Sequence, residues 1–194
     1  MEHAASPLPD LAARRPQRAD AQRNFDALIA AAREAFSQKG TDASLEDIAR
    51  RAGVGIGTLY RHFPTRQDLF QAVYVGGVDG LCRRAHEVEG LAPWDAFVAW
   101  VDAFASFVST KMALKEALGR DERMFSACRA AMLDAAEPVF RRAQDAGEIR
   151  PDTTFDDVLR MLSGIIAATY VDERQREHVL RMSLDGLRAR PASS

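Results

Sequence analysis

The chain has little of what metal, redox and disulfide chemistry require. It holds two cysteines, Cys82 and Cys128, in 194 residues. Each stands alone in a helical pattern, with no Cys-x-x-Cys or Cys/His spacing, so both read as small core residues in a reducing cytosol. The four histidines, His3, His62, His86 and His178, are scattered without a His-x-x-x-His pair. No metal and no cofactor is therefore expected. No residue pair sits in a nucleophile-base context and no phosphate-cradling glycine loop occurs, which argues against an enzyme. No apolar run approaches the ~20 residues that cross a bilayer. The N-terminal stretch, with Pro7, Pro9, Pro16, Arg14 and Arg15, lacks the apolar centre of a secretory signal. The expectation is a cytoplasmic protein without a membrane partner. Strand-period alternation, repeats and low-complexity tracts are missing as well, and the helical period that remains predicts an all-α fold.

What is present is an ordinary apolar content of 47% and a formal charge of −2. The charge is unevenly spread. Between residues 12 and 66, ten basic side chains (Arg14, Arg15, Arg18, Arg23, Arg33, Lys39, Arg50, Arg51, Arg61 and Arg66) face six acids, a local +4 that leaves −6 for the rest. A basic head on an acidic body is the footprint of specific DNA binding.

Residues 1–18 read as a mobile basic tail. The residues allow both a plain end and an arm that lays Arg14, Arg15 and Arg18 along DNA. A helix from about residue 20 to Gly40 carries Phe25, Leu28, Ile29, Ala32, Ala35 and Phe36 on one stripe. After Pro64, a helix with Leu69, Val73, Tyr74, Val78 and Leu81 contains Gly76-Gly77, which fits either close packing or a hinge. Pro93 suits the first turn of a helix running to about Lys111. A short helix is expected around 113–118, then a longer one over about 121–146 that holds Pro138. Two amphipathic helices, Phe155 to about Tyr170 and Arg174 to about Leu187, bring the expected total to about nine.

The segment from Ser44 to Phe63 is the most informative. Ser44 is a good N-cap, and Asp47 three residues on can answer it in a capping box. Leu45, Ile48, Ala49 and Ala52 form one buried face, Gly53 ends that helix, and residues 55–61 form a second one that Pro64 stops. Helix, glycine turn, helix is the helix-turn-helix arrangement, whose second helix enters the major groove. Thr58 and Gly57 lie on its early exposed face, where Thr58 can reach a base edge. Gly55 and Gly57 allow close approach to the groove. Arg61 fits a base reader, a phosphate clamp or a solvated charge, and Arg66 fits a phosphate anchor. Ser44 joins these as a DNA-binding candidate. Tyr60 and His62 can donate to phosphate oxygens.

Ile48-Ala49, Ala52-Gly53-Val54, Gly57, Thr58-Leu59-Tyr60 and His62-Phe63 resemble, in order and spacing, the signature of the tetracycline-repressor (TetR) family of transcriptional regulators. The resemblance covers roughly residues 20 to 75. It implies phosphate or groove contacts for Tyr60 and His62. It departs at Gly55, where serine is common, at Ile56, where a polar or basic residue is common, and at Arg66, where lysine is usual.

One head spans only a few base pairs, whereas two heads ~34–36 Å apart read a near-palindrome, which calls for a homodimer. Val158, Leu162, Ile165 and Ile166 on one late helix, with Leu180, Leu184 and Leu187 on the next, are the expected seam. The family resemblance implies that two subunits form it as a four-helix bundle. It also implies a small-molecule effector, unidentified, in the body. His86, Trp100, Phe104, Phe107, Met112, Phe125 and Met132 are the expected lining, although their types suit a filled core equally well. The division expected is a tail over 1–18, a DNA-binding domain over 19–66 and an effector-binding and dimerisation domain over 67–190. The reading is a ligand-responsive repressor on a double-stranded DNA operator. An activator, and a helical binding module without specific DNA binding, stay open on the residues alone.

Overall fold

The computed structural model describes Pro16, residues 18–114, Leu118 and residues 121–189. Eight α-helices are found among them. These are α1 (Ala19–Lys39), α2 (Leu45–Arg51), α3 (Ile56–His62), α4 (Arg66–Glu87), α5 (Pro93–Ala113), α6 (Glu122–Asp145), α7 (Phe155–Ala167) and α8 (Glu173–Leu187). The described residues hold no β-strand, only an isolated antiparallel bridge between Ile149 and Arg188. The all-α expectation holds. The short helix expected around 113–118 falls largely on residues outside those described, as do Arg14 and Arg15 of the tail.

Two compact units emerge. The first takes in residues up to Gly80 and Thr110–Ala131, the second Leu81–Ser109 and residues from Met132 on. In the first unit, α1 buries Phe25, Leu28, Ala32, Ala35 and Phe36. The rings tie the unit together, with Phe25 against Phe63 at 5.2 Å and Phe36 against Phe70 at 4.8 Å. Gly40 ends α1 at φ 56, a region an L side chain enters only at a cost.

In the second unit Trp100 stacks on Phe104 at 5.3 Å and 17°, and meets Phe155 at 5.5 Å. Phe140 closes the cluster against Phe155 at 5.4 Å and Phe97 at 6.0 Å. The buried indole N–H donates to the Leu81 carbonyl at 3.2 Å, so no polar atom of Trp100 is left unpaired. Arg142 donates to the carbonyls of Val88 and Leu91 at 3.3 and 3.2 Å, in the turn that follows α4.

Caps explain several boundaries. Thr154 and Asp157 form a reciprocal capping box at the start of α7, and Thr65 and Asp68 exchange the same pair of bonds at 3.0 and 3.1 Å before α4. α7 stops at Ala167, short of the expected Tyr170. Its Ile165 carbonyl is taken by the Ala168 N–H and by the Tyr170 hydroxyl at 2.6 Å, and Ala168 is extended. α4 runs unbroken through Gly76-Gly77, and α6 through Pro138.

Candidate nucleic-acid interface

Ser44 caps α2, its Oγ accepting from the Asp47 N–H at 3.3 Å. The reciprocal half of the expected capping box is not made. Asp47 turns its carboxylate to Arg50 and to Arg51, the latter at 3.0 Å, while the Ser44 hydroxyl donates to Glu46 at 2.8 Å. Charged donors three and four residues along the same helix outcompete a neutral amide. The Ser44 bond, more than the backbone, holds the Glu46 carboxyl below its ordinary range.

The turn follows from Gly53, whose φ is 70. Its N–H reaches the Arg50 carbonyl at 3.1 Å and the next N–H, of Val54, reaches Ala49 at 3.0 Å. This pair of bonds is the Schellman termination, and its left-handed position is what glycine supplies. α3 then starts on Gly55, which is extended and offers no side-chain cap.

α3 is held by Leu59, 1% exposed, and by Phe63 just after it, fully buried. On its other faces Ile56 is 37% and Tyr60 47% exposed, with Gly57 and Arg61 also exposed and Thr58 half-buried. Arg61 leans back on the helix and donates to the Thr58 hydroxyl at 3.3 Å. His62 is half-buried, edge-on to Phe25 at 5.8 Å. Burial first, then the charge of Arg61, pushes its imidazole below the ordinary range, so it is neutral near pH 7 and keeps one N–H to donate.

Arg66 is placed differently from the phosphate anchor that its position suggests. Its guanidinium donates to the carbonyls of Thr41 and Ala43 and lies 5.5 Å from the centre of the Phe70 ring. It therefore ties the first residue of α4 to the segment that leads into α2. Sequence reasoning missed this latch, because the spare carbonyls lie more than twenty residues away and no local pattern marks them.

The residues expected to line an effector site do not share one environment. In the second unit Trp100, Phe104 and Met132 are buried, Phe107 is half-buried, and His86 is exposed and paired with Glu89 at 3.0 Å. In the first unit Phe125 is half-buried, edge-on to Tyr74 at 5.1 Å, and Met112 is 41% exposed. Trp100 and Phe104 thus belong to the stacked core.

A similar sorting applies to the expected seam. Val158, Leu162, Ile166, Leu184 and Leu187 are buried within this single chain. Ile165 and Leu180 are half-buried and keep open surface. An amphipathic period marks an apolar face without saying which chain covers it. Among the described residues, no group of three or more His, Cys, Asp or Glu is placed to hold a metal, and no helix is long and apolar enough to cross a membrane.

A tight glycine turn that presents the exposed faces of a second helix defines a helix-turn-helix protein. Comparison with known proteins goes further. A family model described as "Bacterial regulatory proteins, tetR family" matches residues 28–73, and one described as "Transcriptional regulator SbtR-like, C-terminal domain" matches residues 92–189. The HTH-type transcriptional regulator UidR of Escherichia coli (strain K12) is 27% identical over 172 residues, which cover 81% of this chain and 87% of that one. The crystal structure of a TetR transcriptional regulator from Streptomyces coelicolor superposes with a TM-score of 0.76 at 37% identity, covering 86% of this chain and 99% of its own. A TetR transcription regulatory protein from Mycobacterium vanbaalenii gives 0.72 at 32% identity, over 89% and 99%. The chain belongs to the TetR family, and it is a DNA-binding transcriptional regulator.

Proposed function

We propose that the protein is a ligand-responsive repressor that binds a near-palindromic operator as a homodimer in the cytoplasm. One observation carries the DNA half of this reading. α3 is fixed from beneath by Leu59 and Phe63 while Ile56, Tyr60 and Arg61 stand in solvent. In this reading Tyr60 and His62 donate to phosphates, Thr58 and Arg61 face base edges, and Gly55 and Gly57 permit close approach. Ser44 acts by capping α2, its hydroxyl held by Glu46 and Asp47 at the exposed start of that helix. Arg66 acts from inside the head, by holding α4 to the loop before α2.

The dimer seam is assigned to the outward faces of α7 and α8, where Ile165 and Leu180 are accompanied by Met182, 58% exposed, and to the link between the helices, where Val171 is 90% exposed. Apolar surface of this kind, where it forms one contiguous patch, is what a partner covers. Effector contact is assigned to the first unit, on Phe125 and Met112. There the ammonium of Lys111, a residue exposed overall, lies 6.0 Å from the Tyr74 ring centre, and partial desolvation, then the charge of Arg129, pushes its pKa down.

Sedimentation of the purified chain with a duplex drawn from its own upstream DNA tests the assembly. Two chains per duplex, with a dimer already present without DNA, is the expected result. One chain per saturated duplex sinks the dimer.

A further inference from the structure

Gly55, the N-cap, and Ile56 and Gly57 open α3, and the fold requires glycine at neither position. Gly55 has φ −73 and ψ 150, extended backbone that any residue adopts. Gly57 lies within the helix and is not among the glycines with positive φ. A Cβ built on either would meet no atom within 4 Å. Glycine inside a helix is destabilising relative to alanine, so at Gly57 the head carries a weakness that its own packing does not require. The space cleared lies outside the chain.

Between these glycines stands an aliphatic side chain where the reading face meets solvent. Ile56 is 37% exposed, whereas Leu59, almost one turn on, is 1% exposed. In the major groove, nitrogen and oxygen atoms pressed against such a group would lose water without gaining a partner. The base edges there offer one apolar feature, the C5-methyl of thymine. We propose that Ile56 is a specificity-determining residue that reads a thymine methyl in each operator half-site, with Gly55 and Gly57 keeping the flanking backbone bare enough for it to reach. This deepens the operator reading above and rests on it.

The test uses the full chain and a duplex enriched by it from a random pool. Each thymine is replaced in turn by deoxyuridine, which removes the methyl group and nothing else. One position per half-site is expected to weaken the parent about fourfold on losing its methyl, the worth of one buried carbon. Ile56→Ala should bind both duplexes equally, and Ile56→Val should keep the sensitivity. Tyr60→Ala should keep it too, with weaker binding throughout. Gly57→Ala should raise the Tm of the head while lowering operator affinity. A parent indifferent to every replacement, or an Ile56→Ala variant that loses as much as the parent, overturns the assignment and leaves the operator reading intact. Failure of any sequence to enrich overturns both.

Discussion

The first unit keeps the side chains that a partner could meet within a short run, Gly55 to His62, with Leu59 and Phe63 sealed beneath. The second unit spreads its large rings over α5, α6 and α7, and Trp100, Phe97, Phe104, Phe140 and Phe155 are all buried against one another. Substitution should therefore separate binding from stability along Gly55 to His62 and move stability alone within the ring cluster. A stacked, hydrogen-bonded core tells of packing. An exposed tyrosine over a sealed floor tells of a partner.

The largest expected effect is in the second unit. Trp100→Ala removes a fully buried ring and should destabilise the chain by about 3–5 kcal/mol in urea unfolding. A small loss there would mean that the cluster is loosely packed after all.

Next comes Arg66→Ala, which strands the carbonyls of Thr41 and Ala43 and should cost about 2 kcal/mol of head stability, since bonds to a charged donor are the stronger kind. Its salt dependence of operator binding should match the parent. A slope shallower by about one would show that Arg66 neutralises a phosphate instead.

Tyr60→Ala should weaken every operator about tenfold and leave the Tm unchanged, a gel-shift and melting pair that separates contact from fold. Equal affinity of variant and parent would remove Tyr60 from the interface.

The smallest effect concerns His62. Its folded pKa is depressed, so below the ordinary imidazole range the unfolded chain takes up a proton that the folded chain resists. Stability is then full at neutral pH and falls as pH drops from the ordinary value toward the folded one. His62→Phe should flatten that segment of a stability-against-pH curve.

How far the sequence foretold this depends on distance along the chain. The turn at Gly53 and the buried faces of α1 and α2 were legible because their causes are local, in a left-handed glycine and a helical period. The capping box at Ser44 was misjudged because Arg50 and Arg51 compete for Asp47, a rivalry that residue types suggest but do not rank. Arg66 was assigned to phosphate because its latch closes across more than twenty residues. Val158, Leu162, Leu184 and Leu187 are buried within the chain, and periodicity alone does not distinguish an intrachain neighbour from an interchain one. Ile149 and Arg188, paired across the α7 and α8 segment, left no local trace at all.

That last pairing has its own consequence. The Arg150 N–H reaches Leu187 at 2.9 Å and the Ala189 N–H reaches Glu148 at 3.0 Å, while Arg188 lies 3.7 Å from the centre of the Trp94 ring. The stretch between them is thus stitched shut at its mouth like a drawstring. Anything that grips α8 also holds the entry to α7, and a tug on the terminal helix is felt where the preceding one begins.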